Sequence, residues 1–253
     1  PFRKDKKKVL EIERLQKIYP INGVILPVLE EITFQAENGE LICIIGRSGC
    51  GKSTLLKIVA GFVPPSSGKV SIKGIQAKAP GPDRCVIFQE DALFPWLSVR
   101  ENIAFGLKAR KQSKKSRKAE VERFLELVGL KEFGDYLPSE ISGGMKQRVA
   151  LARVLILQPE VLLMDEPFAS LDAQSRAEMQ NLLMALRQEL SHTILFVTHD
   201  VHEAVILADK ILLMGNNPGR IREEIKVDIP RPRERESAPV MNLCRRLYEA
   251  LRN

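Results

Sequence analysis

No stretch of this sequence stays apolar for the roughly 18 residues that a membrane-crossing helix needs. The four cysteines, Cys43, Cys50, Cys85 and Cys244, include no Cys-x-x-Cys pair. A disulfide or zinc framework is therefore not expected. Aromatics are scarce, with one tryptophan and three tyrosines in the chain. No apolar export signal opens the chain, whose first residues include Phe2-Arg3-Lys4-Asp5-Lys6-Lys7-Lys8. The expectation is a protein that stays in the cytosol.

What is present fits one large domain, or one domain with an inserted lobe: 253 residues, 44% of them hydrophobic. The formal net charge is +7, which invites a nucleic-acid or membrane-surface reading. Much of the excess sits in two runs, Arg3 to Lys8 and Lys108 to Lys118. Neither is interleaved with aromatics, as a single-strand binding platform would be. The expectation is a solvated tail and a solvated linker. Anionic lipid could still attract both.

The chain is organised around Leu41-Ile42-Cys43-Ile44-Ile45, read as a buried strand of a parallel sheet. It is followed by Gly46-Arg47-Ser48-Gly49-Cys50-Gly51-Lys52-Ser53-Thr54, which fits the phosphate-loop pattern. Glycines let backbone N–H groups turn inward around an anion. A helix starting near Lys52 would add its positive end. Lys52 is expected to reach the outer phosphates and the Ser53 hydroxyl to ligate Mg²⁺. Cys50 is read as a small space-filling residue.

Along the chain, Leu10 and Ile12 alternate with Glu11 and Glu13, and Ile32, Phe34 and Ala36 alternate with Thr33 and Gln35. Both are half-exposed strand patterns. Leu55, Leu56, Ile58 and Val59 predict a buried helix stopped by Gly61, and Pro64 to Gly68 a turn. Strands are expected at Lys69–Ile72 and Cys85–Phe88. Ser98 to Glu101 forms a capping-box sequence. Val121, Phe124, Leu125 and Val128 then recur at helical spacing. Residues 90–158 thus read as a helical lobe inserted between strands. Strand–helix alternation resumes with Val161–Met164, a helix bearing Met179, Leu182, Leu183, Leu186 and Leu190, and strands at Ile194–Val197 and Ile211–Met214. Asp200 to Glu203 reads as another capping box, and Pro230 to Glu236 as a charged linker before a last helix. The expected architecture is α/β with a mainly parallel sheet, N-terminal antiparallel strands and a helical insertion. The expected divisions are 1–89, 90–158, 159–229 and 230–253.

Two further constellations carry chemistry. The strand Val161–Met164 ends in Asp165 and Glu166. A carboxylate there can hold Mg²⁺, and its neighbour can polarise an attacking water. In Ile141-Ser142-Gly143-Gly144-Met145-Lys146-Gln147, Ser142 can cap the helix that follows, and Gly143 and Gly144 expose backbone N–H groups. That is a second anion site, which one nucleotide does not obviously need.

From about Leu10 to Gly219 the chain resembles an ATP-binding-cassette ATPase, the P-loop motor subunit of a membrane transporter. Gly46 to Thr54 match the Walker A loop, Gln89 the Q-loop glutamine, and Ser142 to Gln147 the signature sequence. Asp165 and Glu166 match the Walker B end, Ser170-Leu171-Asp172 the D-loop, and His199 the switch histidine. Tyr19 sits where the family stacks an aromatic on adenine, though packing is an alternative role for it. The resemblance implies ATP and Mg²⁺ as ligands, with Ser53, Gln89 and Asp165 at the metal and Glu166 and His199 catalytic. It implies a second cassette subunit, membrane permease subunits, an external solute-binding protein and a peripheral place on the cytoplasmic face of the inner membrane. Met145, and Leu93-Phe94-Pro95-Trp96, are similar to the branch serving nitrate, sulfonate, taurine and bicarbonate importers. Nucleic acid is not an expected partner. The rival is a cassette ATPase acting on nucleic acid or the ribosome, which usually carries coiled-coil insertions or fused cassettes; neither is present here. Residues 90–97 hold the only tryptophan, Trp96. They are either core of the helical lobe or a docking groove for a helix of the membrane subunit.

Overall fold

The structure, a computed structural model, describes residues 7–21, 23–88, 93–109 and 113–252. Two sheets organise it. Strands β1 (Lys8–Ile21), β2 (Val24–Glu37), β4 (Ser67–Ile72) and β5 (Ile75–Gln76) form a four-stranded antiparallel sheet in the order β2-β1-β4-β5. The second sheet contains β3 (Leu41–Gly46), β6 (Arg84–Ile87), β7 (Val161–Asp165), β8 (Thr193–Val197), β9 (Lys210–Met214) and β10 (Ile221–Lys226). Its order is β10-β9-β3-β8-β7-β6, parallel throughout except for β10 at one edge.

The apolar runs become central strands because both of their faces are covered. Every residue of β3 and of β8 is buried. The two-residue period divides β3 between two cores. Leu41, Cys43 and Ile45 pack into a core shared with the helices that follow β6. Ile42 and Ile44 pack into a second core with helix α1 (Lys52–Ala60) and the antiparallel sheet.

Between β6 and β7 the described chain contains three α-helices: α2 (Val99–Ala104), α3 (Lys114–Leu127) and α4 (Gly143–Leu155). Helix α2 starts at the expected capping box. The Ser98 hydroxyl accepts from the Glu101 amide at 3.2 Å, and Glu101 Oε2 accepts from the Ser98 amide at 3.0 Å. After β7 come α5 (Ala173–Leu190), α6 (Val201–Leu207) and α7 (Ala238–Arg252). The turn expected at Pro64–Gly68 ends early, since β4 already begins at Ser67.

Two expectations about charged segments are corrected. The basic stretch read as a linker ends inside α3, which begins at Lys114 under a Ser113 cap that accepts from the Ser116 amide at 3.2 Å. Lysine and arginine are good helix formers, and the cap decides the start. Residues 110–112 lie outside the described residues, as do 1–6 of the N-terminal run. Pro230 to Glu236, expected as a charged linker, is tied to the rest of the molecule by its side chains. Two of its arginines, both half-buried, reach into the body of the molecule. Arg231 donates to Asp209 Oδ1 at 2.6 Å and to the Leu207 carbonyl at 2.5 Å. Arg233 donates to the carbonyls of Val205, Ile206, Ala208, Val227 and Ile229.

Candidate functional site

The glycine-rich loop joins β3 to α1 at the edge where the parallel strands end. Gly51 has φ 99°, and a Cβ there would lie 2.7 Å from Leu29 Cδ2 and 3.1 Å from the Val28 carbonyl oxygen. Only glycine fits that backbone and that approach. A cavity of about 340 Å³ lies over the loop. It is lined by Ser48, Gly49, Gly51, Lys52, Ser53 and Thr54 of the loop and α1, by Val28 of β2, and by Glu166 and His199.

Lys52 is nearly buried, and its ammonium donates to the carbonyls of Gly46 at 2.8 Å and Arg47 at 3.1 Å. A cation thus sits inside the loop, beside the cavity it lines. Cys50 fills the space beneath, buried, with its Sγ 3.9 Å from Lys52 Nζ. A Cβ on Gly46 would lie 2.8 Å from that sulfur.

The Ser53 hydroxyl donates to Asp165 Oδ1 at 3.2 Å. Burial raises the Asp165 carboxyl above the usual carboxylate range; the Ser53 bond opposes this and the Glu166 charge adds to it. Glu166 follows at φ 46°, outside the range most residues adopt. Its amide donates to the Val197 carbonyl at 3.0 Å. Its Oε2 accepts from His199 Nδ1–H at 2.8 Å. A carboxylate can only accept, so this bond sets the histidine tautomer. The arrangement couples a base to an imidazole at the rim of the cavity.

Ser53 and Asp165 offer a hydroxyl and a carboxylate, hard oxygen donors that suit Mg²⁺. Among the described residues no group of three or more His, Cys, Asp or Glu is gathered for a metal. An ion held here would take its remaining ligands from substrate oxygens and water, as Mg²⁺ commonly does.

The second anion candidate lies elsewhere. Ser142 caps α4, its hydroxyl accepting from the Met145 amide at 3.3 Å. With Gly143 and Gly144 it lines a separate cavity of about 510 Å³, together with Ser170, Leu171 and Asp172. The two cavities share no lining residue.

Other expected residues fall outside the first cavity. Arg47 lines a small cleft with Gly215, Ala250 and Leu251. Tyr19 is half-buried on β1, with Lys17 Nζ 4.7 Å from its ring centroid. Gln89 lies outside the described residues. The capping box expected at Asp200 is half right. Asp200 Oδ1 accepts from the amides of His202 and Glu203, at 2.8 and 3.2 Å. Glu203 does not reach back; it is buried and bonded to Gln180.

Sequence reasoning missed Val28, and it placed Gln147 in the signature stretch without a separate role. Val28 enters the cavity through the pairing of β2, which no local pattern reveals. Gln147 is buried on α4, and its Nε2 donates to the Pro167 carbonyl at 3.2 Å.

The ABC transporter family profile matches residues 29–169, a span that holds the loop, the Ser142 cap, Asp165 and Glu166. The chain belongs to that family. It is 43% identical over 252 residues to an uncharacterized ABC transporter ATP-binding protein of Methanocaldococcus jannaschii, covering 99% of this chain and 94% of that one. The nitrate import ATP-binding protein NrtD of Synechococcus elongatus is 45% identical over 90% of this chain and 84% of its own. The bicarbonate transport ATP-binding protein CmpC of the same species is 49% identical over 88% of this chain, which spans 34% of CmpC. Among solved structures, the ATP-binding cassette MJ0796, dimeric and bound to ADP and Pi, superposes with a TM-score of 0.74 at 29% identity, covering 87% of this chain and all of that one. The cbiO1 subunit of Clostridium perfringens, part of the ABC transporter complex cbiONQ, gives 0.79 at 28% identity, covering 88% and 90%. This cassette is thus an ATP-binding ATPase with the P-loop α/β fold. No helix among its described residues is long and apolar enough to cross a membrane.

Proposed function

We propose that this cassette is the ATP-hydrolysing subunit of an importer for a small anion, working as a head-to-tail pair on the cytoplasmic face of the membrane. The observation that carries the pairing is the separation of the two cavities. The phosphate loop and the Ser142 cap lie in different cavities of one chain, so a nucleotide touching both needs two chains. The likeness to the nitrate and bicarbonate proteins supports the anion. Membrane permease subunits and an external solute-binding protein complete the proposed assembly. Nucleic acid has no role in it.

In this reading the backbone amides of Gly46–Thr54 and the Lys52 ammonium bind the phosphates, and Tyr19 stacks on adenine. Ser142, Gly143 and Gly144 of the second copy close over the γ-phosphate. Ser53 and Asp165, with Gln89, would hold Mg²⁺, which offsets negative charge on the β- and γ-phosphates. Glu166 takes a proton from the attacking water, and His199, oriented through Nδ1, hydrogen-bonds the γ-phosphate.

The segment after Gln89 supplies the membrane contact. Trp96 is 72% exposed, which favours docking over the core alternative. Its ring centroid lies 5.6 Å from that of Phe94, which lies 4.3 Å from that of Phe105. Asn102, fully buried, holds the loop rigid by donating to the carbonyls of Phe94, Leu97 and Ser98. A rigidly presented aromatic is a suitable anchor for a short helix of the permease. Trp96→Ala is expected to leave the ATPase of the free subunit within about twofold and to lower coupled uptake about tenfold or more. The measurement is phosphate release by the purified subunit beside uptake of labelled nitrate and bicarbonate by cells carrying the assembled transporter. Unchanged uptake would refute the docking role. Uptake of neither anion by the parent would refute the substrate class.

A further inference from the structure

The family profile ends at residue 169, and the site as described leaves the C-terminal segment without a task. That segment is nonetheless built into the molecule. Arg231 and Arg233 are half-buried and Arg235 is exposed, yet each is tied down by a different kind of partner.

Arg231 and Arg233 close the end of α6. Between them they satisfy the carbonyls of Val205, Ile206, Leu207 and Ala208, the groups a helix C-terminus leaves without partners. Burial and the neighbouring Arg231 charge pull the Arg233 pKa down to about 10. Helix α7 then packs along α6, bringing Cys244 Sγ to 3.5 Å from His202 Nδ1. Helix α6 begins immediately after His199 and Asp200.

Arg235 acts at the other end of the same helix. Its Nη2 donates to Gln180 Oε1 at 2.6 Å. Gln180 Nε2 donates to Glu203 Oε1 at 2.9 Å. Gln180 and Glu203 are both buried. The ends of this chain fix the orientation of the amide between them: a guanidinium demands an acceptor and a carboxylate demands a donor. Glu203 also accepts from the Thr198 hydroxyl, and that oxygen accepts from the Asp200 amide at 3.0 Å. Thr198 and Asp200 are the two neighbours of His199. Asp200 is held from a further side by Arg176 at 3.6 Å. His199 itself is exposed, and Glu166 is its one side-chain partner among the described residues. Its position is therefore set by the turn that carries it.

We propose that Arg235 is a positioning residue for His199, acting through Gln180 and Glu203 on the turn of residues 198–200. The proposal rests on the catalytic reading of His199 given above. Removing the guanidinium frees the Gln180 amide to rotate, and Glu203 loses a donor it cannot replace in a buried site. The Thr198 hydroxyl is then no longer held from both sides, and His199 spends less time within reach of the γ-phosphate. Nucleotide binding, which the phosphate loop provides, is left alone.

Arg235 is exposed, so its replacement does not strip the core. In the purified full chain, Arg235→Leu is expected to lower kcat for ATP about tenfold with KM unchanged. Arg235→Lys, which keeps a donor to Gln180, is expected to retain most of the rate. In a His199→Ala background, adding Arg235→Leu should change the residual rate by less than about twofold, because two residues acting through one group are not additive. If His199→Ala slows turnover and Arg235→Leu does not, the proposal is overturned while the role of His199 stands. An equal loss from Arg235→Leu in both backgrounds also overturns it, since the residue would then act independently of His199. Full turnover by His199→Ala removes the catalytic reading of that histidine and this proposal with it.

Discussion

Lys52→Ala is expected to abolish measurable ATP hydrolysis. The ammonium is buried within the phosphate loop, held by the carbonyls of Gly46 and Arg47, and lines the cavity above it. A positive charge in such a partly dry site stabilises developing phosphate charge by several kcal/mol, so its loss costs on the order of a thousandfold or more in turnover. The loop's turns rest on the glycines and on packing against Val28 and Leu29, with the Lys52 bonds to the Gly46 and Arg47 carbonyls as an added tie. The variant should therefore fold. Phosphate release by the purified protein, with circular dichroism as the folding control, tests this. Near-normal turnover in a folded variant would remove the phosphate loop from the catalytic site.

Glu166→Gln separates binding from hydrolysis. The amide keeps the size of the carboxylate and can still accept from His199 Nδ1–H, so the local geometry at 2.8 Å persists. It cannot take a proton, and a missing general base costs about a hundred- to ten-thousandfold. ATP should bind and remain. If two copies enclose each nucleotide, the ATP-bound pair should accumulate. Size-exclusion chromatography with ATP is expected to show a stable dimer for Glu166→Gln and only a weak one for the parent. A variant that hydrolyses slowly yet stays monomeric at saturating ATP would contradict the paired arrangement.

Much of this was legible in the sequence, for local reasons. The phosphate loop is readable because its backbone requires glycine at fixed places, Gly51 above all. The central strands are readable because burial on both faces demands continuous apolar runs. The two acids at the end of β7 are readable because a polar pair closing such a run is locally unusual. What stayed hidden depends on partners distant in the chain. The arginines of 231–235 look like any charged segment until the carbonyls at the end of α6 are brought beside them. Glu203 fits a capping sequence perfectly well, but a buried bond to Gln180 outcompetes the local one. Lys114 to Lys118 resemble a solvated run because cations serve equally in linkers and on helix surfaces. Val28 reaches the cavity only through the register of β2.

The strand order of the parallel sheet bears on when this protein becomes able to bind nucleotide at all. Strand β3, which carries the phosphate loop, lies between β8 and β9, with Leu41 opposite Ile194 and Ile42 opposite Lys210. Those neighbours leave the ribosome long after the loop itself. The antiparallel hairpin of β1 and β2, and helices α2 to α4, can form from nearby segments as they emerge. The loop strand has no parallel neighbour until residue 197 has been made, and it is not flanked on both sides until residue 214. Such distant pairings fold slowly and leave apolar strands unpaired in the meantime. Until then the backbone edges of Leu41–Gly46 lack the strands that pair with them in the finished sheet. The chain can therefore bind nucleotide only late in its synthesis.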